Sequence, residues 1–525
     1  MKLPRFFQSN PEHGPLKPTA VVTHHGQYTV GETTGGLSVI FSVLCIVDLF
    51  GVFPIITLPK SVINCGIYGV PMVLLVFGLQ LYTAVLLGRS WLLAHEISPN
   101  IRQKNRFPYA AVAELAFGPP ARRLVIFLID ATVFGSGIPN FILASQTLQI
   151  FWWKISGGSI SVTYCVWMLV IAVLLCPIMW LGSPKDMKSL SVLSVLIVST
   201  VAVSTWTCIL TDDVSPQPVA SLLEYRPKAQ DFLIAYGILA FQFDIHPMLL
   251  TIQVDMKDSR KINSAVLGAF GFSGLMFVVT ACLAAARYGL DVDNNILQGI
   301  PSSIPLYLVA LLVTVQLCLS SAVCNSALFQ HVEDILKVPR DFCIQRCLVR
   351  SAIVALAVFL AESVPRFDLV MGLLGSTLTG PLMFICPPLF FLKLSYMKSK
   401  MTPRVLKINK VQLSNGNQNG ANSGVTDGGN GGNGHMSLPL IIKNALQTSY
   451  NTFTSYDETE EEDEYAIKWY DVLLALIVMS MGTAATIVAT YTSWADSIAY
   501  ATFSPPCLIN ATEAARSFLQ ASLGV

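Results

Sequence analysis

The stretch AFQFDIHPMLL, residues 240–250, sets an aspartate, a histidine and a proline inside an apolar run of membrane-crossing length. A lipid-exposed helix rejects all three. Each ionisable group costs several kcal/mol in hydrocarbon, and the proline removes a helical hydrogen bond. A chain that keeps Asp244, His246 and Pro247 there must turn that face towards protein or water and break the helix at that point.

The composition supports a membrane setting throughout. Of 525 residues, 53% are apolar and 12% charged, and the mean hydropathy is +0.59; soluble domains carry about 25% charged residues. A net charge of +1 gives no electrostatic case for a nucleic-acid partner. Runs of about 20 apolar residues recur along the chain. They predict an all-α polytopic protein with eleven transmembrane helices, at 37–58, 70–94, 124–151, 160–181, 189–210, 230–254, 262–286, 303–328, 347–364, 368–394 and 469–495. The twelve cysteines show no CxxC or Cys/His spacing, so they are expected to pack as small side chains, with no metal site and no cofactor. The polar, proline-bearing N-terminus does not read as a signal peptide.

Charge fixes the expected orientation. With the N-terminus cytoplasmic, 25 of the 33 Lys and Arg residues fall on the inside and 7 on the outside, Arg89 lying within the second helix. That asymmetry satisfies the positive-inside rule. Residues 1–36 then form a cytoplasmic tail, 37–394 a ten-helix core, 469–495 an eleventh helix and 496–525 an extracellular or lumenal tail. The tail holds the sequon Asn510-Ala511-Thr512, a glycosylation site in a glycoprotein. Segment 395–468 runs from basic residues through a Gly/Asn-rich tract to ETEEEDEY, and reads as a disordered cytoplasmic loop of unknown partner.

A second break matches the first. Helix 1 reads VLCIVDLFGVFPIITLPKS (43–61), with Asp48, Gly51, Pro54 and Pro59 interrupting it near mid-membrane, as Pro247 interrupts helix 6. Two five-helix repeats, about 37–210 and 230–394, would make helices 1 and 6 equivalent. Paired breaks of this kind are where inverted-repeat transporters bind substrate. An unwound segment offers N–H groups to a carboxylate and carbonyls to an ammonium, the two ends of a zwitterionic amino acid. Gly51, Phe53, Ile55, Phe241 and Phe243, with Phe50 beside them, are the candidate substrate-lining residues.

The stretch AFQFDIHPMLLTIQVDMKDSRKI (240–262) resembles the sixth-helix signature of the amino acid/auxin permease family, most of all its plant vacuolar and vesicular inhibitory amino-acid transporters. His246, Pro247, Met256, Lys257 and Asp258 fall at the motif's positions. TLPKSVINCGIYG (57–69) and FPYAAVAELAFGPPAR (107–122) are similar to the family's first helix and second loop. The resemblance covers roughly residues 37–394 plus helix 11. It implies a leucine-transporter-type five-plus-five fold with one extra helix, carrying amino acids with protons or sodium. This chain departs from the pattern twice: the small-residue cradle before Leu-Pro reads Val52-Phe53-Pro54, and Asp244 stands where small residues are common.

Asp48, Asp130, Asp244 and His246 are the candidate proton carriers, since histidine changes charge near neutral pH and burial raises a carboxylate's hold on a proton. Ser320, Ser321 and Asn325 form a candidate cation site in helix 8. The expected function is secondary active transport of small neutral amino acids by alternating access, proton-coupled, in a plasma or endolysosomal/vacuolar membrane. Sodium coupling, or a non-transporting sensor on the same fold, remains open at this point. No HExxH or GxSxG motif points to an enzyme.

Overall fold

The computed structural model describes residues 36–104, 107–159, 162–180, 187–213, 219–339, 342–364, 367–400 and 469–500. Nearly all of the N-terminal tail, the loop from 401 to 468 and the tail carrying Asn510 lie outside the described residues. Apart from connecting turns and one isolated bridge between Leu37 and Met256, the described chain is helical.

Among the described residues, eleven spans follow one another. Span 1 is composite: Val39–Phe50, Phe53–Ile56 and Leu58–Ile63. Spans 2 to 5 are Gly69–Ile97, Pro119–Ile155, Tyr164–Trp180 and Met187–Thr211. Span 6 is Ala229–Gln242 continued by His246–Asp255. Spans 7 to 9 are Ile262–Tyr288, Ile304–Ile335 and Ile344–Ser363, span 10 is Phe367–Lys400, and span 11 is Trp469–Tyr500. Among the described residues, nine helices are long and apolar enough to cross a membrane; the first segment of span 1 and span 4 are the shorter apolar pair. Leu74, Phe127, Val173, Leu267 and Ile487 are more than half exposed. They present the apolar surface that lipid covers.

Both breaks form for local reasons. Ser38 caps span 1, its hydroxyl accepting from the Phe41 amide at 3.4 Å. Gly51 ends the first segment at φ +58°, a backbone conformation that costs glycine nothing. Pro54, Pro59 and Pro247 each occupy the first turn of a resumed helix. A proline there removes no bond, because the first amides of a helix have no intrahelical acceptor. The prolines therefore start segments as well as end them.

Spans 6 and 10 approach closely through glycine. A Cβ on Gly237 would lie 2.6 Å from the Gly372 carbonyl oxygen, and one on Gly375 would collide with the Gly237 carbonyl. Span 10 is wound as π-turns over Gly375–Thr379 and Pro381–Ile385. Between spans 2 and 3, the helix Pro108–Phe117 turns largely inward; Tyr109 is 1% exposed and its hydroxyl donates to the Leu382 carbonyl at 2.5 Å.

One expectation needs correction. Cys165 is disulfide-bonded, whereas the other ten described cysteines are free. Span 4 begins at Tyr164, so Cys165 lies in its first turn, at the membrane edge rather than deep within it.

Candidate functional site

Breaking a helix strands backbone carbonyls, and each one left buried and unpaired costs about 1–3 kcal/mol. Here two glutamines answer that cost. In span 6, the break leaves Ala240 O without its usual amide, because Asp244 N donates to Phe241 O instead (3.3 Å). Gln80 of span 2 donates Nε2 to Leu239 O at 3.0 Å and to Ala240 O at 3.3 Å. In span 1, Phe50 O accepts from Gln242 Nε2 of span 6 at 2.7 Å. The two interrupted spans are thus bonded to each other at their breaks.

Asp244 and His246 lie in that junction, their side chains 4% and 0% exposed. Asp244 Oδ1 accepts from the His246 amide at 3.2 Å, taking one orphan donor at the start of the resumed helix. His246 Nε2 is 3.0 Å from Thr83 Oγ1, and Thr83 also donates to Gln80 O at 3.1 Å. His246 Nδ1 faces Asp244 Oδ1 at 3.3 Å without a hydrogen bond. Four buried polar atoms in this network have no partner among the described residues: Asp244 Oδ2, His246 Nδ1, Gln242 Oε1 and Gln80 Oε1. Three are oxygens that can only accept when the carboxyl is ionised. A site so rich in unpaired acceptors suits a donor, an ammonium group or a proton.

The candidate lining residues divide. Gly51 forms the span 1 break, and Phe53 and Ile55 lie buried just beyond it. Phe241 is half-buried beside Gly375. Phe243 is fully buried, its ring edge-on to Phe50 and Phe77 at 5.1 Å and flanked by Phe270 and Phe277. Phe50 and Phe243 therefore belong to one aromatic cluster beside the break.

The other candidate carriers stand elsewhere. Asp48 Oδ1 accepts from Ser194 Oγ of span 5 and, at 3.3 Å, from Gln316 Nε2 of span 8; Gln316 also donates to Ser194 Oγ at 2.6 Å. Asp130 pairs with His331 across spans 3 and 8, and the Phe107 ring packs on that imidazole at 5.2 Å. In span 8, Ser321 and Asn325 join Asn140 of span 3: Asn140 Nδ2 donates to Ser321 Oγ at 3.1 Å and Asn325 Nδ2 to Ser321 O at 2.8 Å. Ser320 instead approaches Cys324 Sγ at 3.9 Å. Four separate polar loci result.

Sequence reasoning passed over Gln80, Thr83, Gln242, Ser194, Gln316 and His331. Gln80 and Gln316 carried a signal, each a lone amide in an otherwise apolar run.

Residues 36–412 match the family model described as transmembrane amino acid transporter protein. Amino acid transporter AVT1B of Arabidopsis thaliana is 24% identical over 404 residues, covering 75% of this chain and 71% of that one. Sodium-coupled neutral amino acid transporter 4 of Pongo abelii is 27% identical over 177 residues, 32% of each chain. A solved structure, MhsT in complex with L-phenylalanine, aligns at 13% identity with a TM-score of 0.46, over 87% of this chain and 99% of that one. The chain belongs to the transmembrane amino acid transporter family, a family of multi-pass membrane transporters and not of enzymes.

Proposed function

We propose that this family member is a secondary active transporter, moving small neutral amino acids by alternating access with a proton as the coupling ion. The observation that carries the reading is the set of unpaired buried acceptors where the breaks of spans 1 and 6 meet. The substrate's ammonium group fits the acceptors of Gln242 and Asp244. Its carboxylate fits the amides of Val52 and Phe53, which follow Gly51 and precede a proline with no N–H. Gln80, Thr83 and Gln242 around the junction are uncharged, so beyond Asp244 and His246 a charged substrate side chain would find no counter-charge of its own.

Asp244 and His246 are the coupling pair. A proton entering between Nδ1 and the carboxylate would turn an unbonded contact into a charge-assisted hydrogen bond. Alternating access lets that proton and the amino acid enter from one side and leave to the other. Sodium coupling is the second reading, favoured by the oxygen-rich Asp48, Ser194 and Gln316 locus linking spans 1, 5 and 8. A disulfide at Cys165 supports an oxidising compartment at that end of span 4, the outer side under the positive-inside orientation.

Uptake of a labelled amino-acid panel into proteoliposomes, under imposed pH or sodium gradients, tests the proposal. Accumulation driven by the pH gradient supports it. Binding without flux under either gradient makes the protein a sensor.

A further inference from the structure

We infer that Thr83 of span 2 is a positioning residue that holds His246 in its Nε2–H tautomer and so reserves Nδ1 for the coupling proton. This rests on His246 and Asp244 as the coupling pair and specifies which atom loads.

A threonine hydroxyl has one proton to give. Thr83 donates it to the Gln80 carbonyl at 3.1 Å, so towards His246 Nε2, at 3.0 Å, it can only accept. The neutral imidazole then carries its proton on Nε2 and turns the Nδ1 lone pair to Asp244 Oδ1. The heavy-atom arrangement agrees with this tautomer: the two atoms lie 3.3 Å apart with no hydrogen bond, Nδ1 has no partner, and both side chains are at least nine-tenths buried. Two acceptors held face to face are one proton short. When hydronium delivers that proton, water is released, Nδ1–H bonds to the carboxylate, and Nε2–H stays on Thr83. Deprotonation returns the same proton to water on the opposite side.

Other titratable groups near the pair come from known elements. Helix Pro108–Phe117 contributes Tyr109, hydrogen-bonded to Cys386 of span 10 and to the Leu382 carbonyl. Span 1 contributes Asp48, which is bonded to Ser194 and Gln316. On span 2, Thr83 and Gln80 are uncharged, and Arg89 lies six residues further along. Asp255 is the last residue of the resumed helix, and Lys257, Asp258, Arg260 and Lys261 lie beyond its far end. Among the described residues the imidazole's one ion-pair partner is Asp244.

Removing the hydroxyl frees the tautomer. In Thr83→Val, Nε2–H loses its acceptor and the proton moves to Nδ1, where it satisfies Asp244 without uptake from solution. Loading then requires a more acidic solution. A hydrogen bond to a charged group is worth enough to demand on the order of ten- to a hundredfold more protons for half-maximal uptake. Thr83→Ser keeps the hydroxyl and should keep the wild-type profile.

The test combines pH profiles of uptake in proteoliposomes with 15N NMR of histidine-labelled protein above neutral pH, the His246 signal being identified by its loss in His246→Gln. The expected result is an Nε2–H tautomer in wild type, with the acid-shifted profile in Thr83→Val and not in Thr83→Ser. An Nδ1–H tautomer in wild type overturns the inference even if Thr83→Val does not fold. So does an unshifted Thr83→Val profile, while loss of pH dependence in His246→Gln leaves the coupling pair standing. A His246→Gln protein with the wild-type profile overturns the coupling pair itself.

Discussion

Substituting Gly237 by alanine tests a close backbone approach that bears on the site. The added Cβ would meet the oxygen, Cα and carbonyl carbon of Gly372 at 2.6, 3.0 and 3.2 Å. All three are backbone atoms, so no flexible side chain can yield. Reaching ordinary contact at 3.4 Å needs spans 6 and 10 to part by roughly 0.8 Å. Overpacking of this kind costs about 1–3 kcal/mol, and the helical preference for alanine over glycine returns about 1 kcal/mol. Net destabilisation is therefore up to about 2 kcal/mol. Gly271→Ala is the control: nothing lies within 4 Å of its Cβ, so only the propensity gain remains. The same displacement reaches the break, because Leu239 and Ala240, whose carbonyls Gln80 holds, follow within one turn. Thermal melting in detergent and initial uptake rates should both fall for Gly237→Ala, while Gly271→Ala melts at or above wild type. Equal melting of the two variants would refute the close packing of spans 6 and 10.

Three further outcomes follow from named contacts. Cys165→Ser removes a disulfide and should lower stability by about 2–4 kcal/mol, read as a lower melting temperature that reductant also produces in wild type and not in the variant. Lys154 Nζ donates to Leu297 O at 3.2 Å, to Gln298 O at 2.9 Å and to Ile300 O, clamping the loop between spans 7 and 8 onto span 3. Lys154→Met should raise proteolysis within residues 289–303 several-fold, and unchanged cleavage would remove the clamp. In the same loop, burial pushes the Asp293 carboxyl up, and the charges of Lys60 and Lys154 oppose the shift. A folded pKa above the unfolded one gives stability that is present at acid pH and lost as pH rises through the folded value. Asp293→Asn should thus melt higher than wild type at pH 7, with the gap closing towards pH 4; a lower melting point at pH 7 would count against it.

Much of the fold was legible because the bilayer imposes a length and a polarity on every helix. Proline, glycine and ionisable residues in such runs marked spans 1 and 6 as broken. The closing partners were not legible. Gln80 reaches Leu239 O and Ala240 O across about 160 residues, and nothing in the pattern of span 2 fixes which way a lone amide points. Asp130 stood out in sequence, yet His331, its partner, lay 201 residues away in span 8. Aromatic residues beside a break read alike whether they line a path or brace it; only packing showed Phe243 among Phe50, Phe77 and Phe270. Pro54 looked like a defect in a cradle and proved to be a first-turn proline, which needs no amide acceptor.

The central claim is that the Asp244–His246 pair carries the coupling proton of amino-acid transport. Its most direct measurement is amino-acid uptake with simultaneous proton flux in proteoliposomes, comparing wild type with Asp244→Asn protein that folds and inserts. Wild type should move protons with the amino acid and concentrate it when acid is outside. Asp244→Asn should lose that proton movement while still exchanging amino acid across the membrane. Proton-coupled accumulation by Asp244→Asn at the wild-type level would contradict the claim and move the proton to another site, the Asp130–His331 pair first.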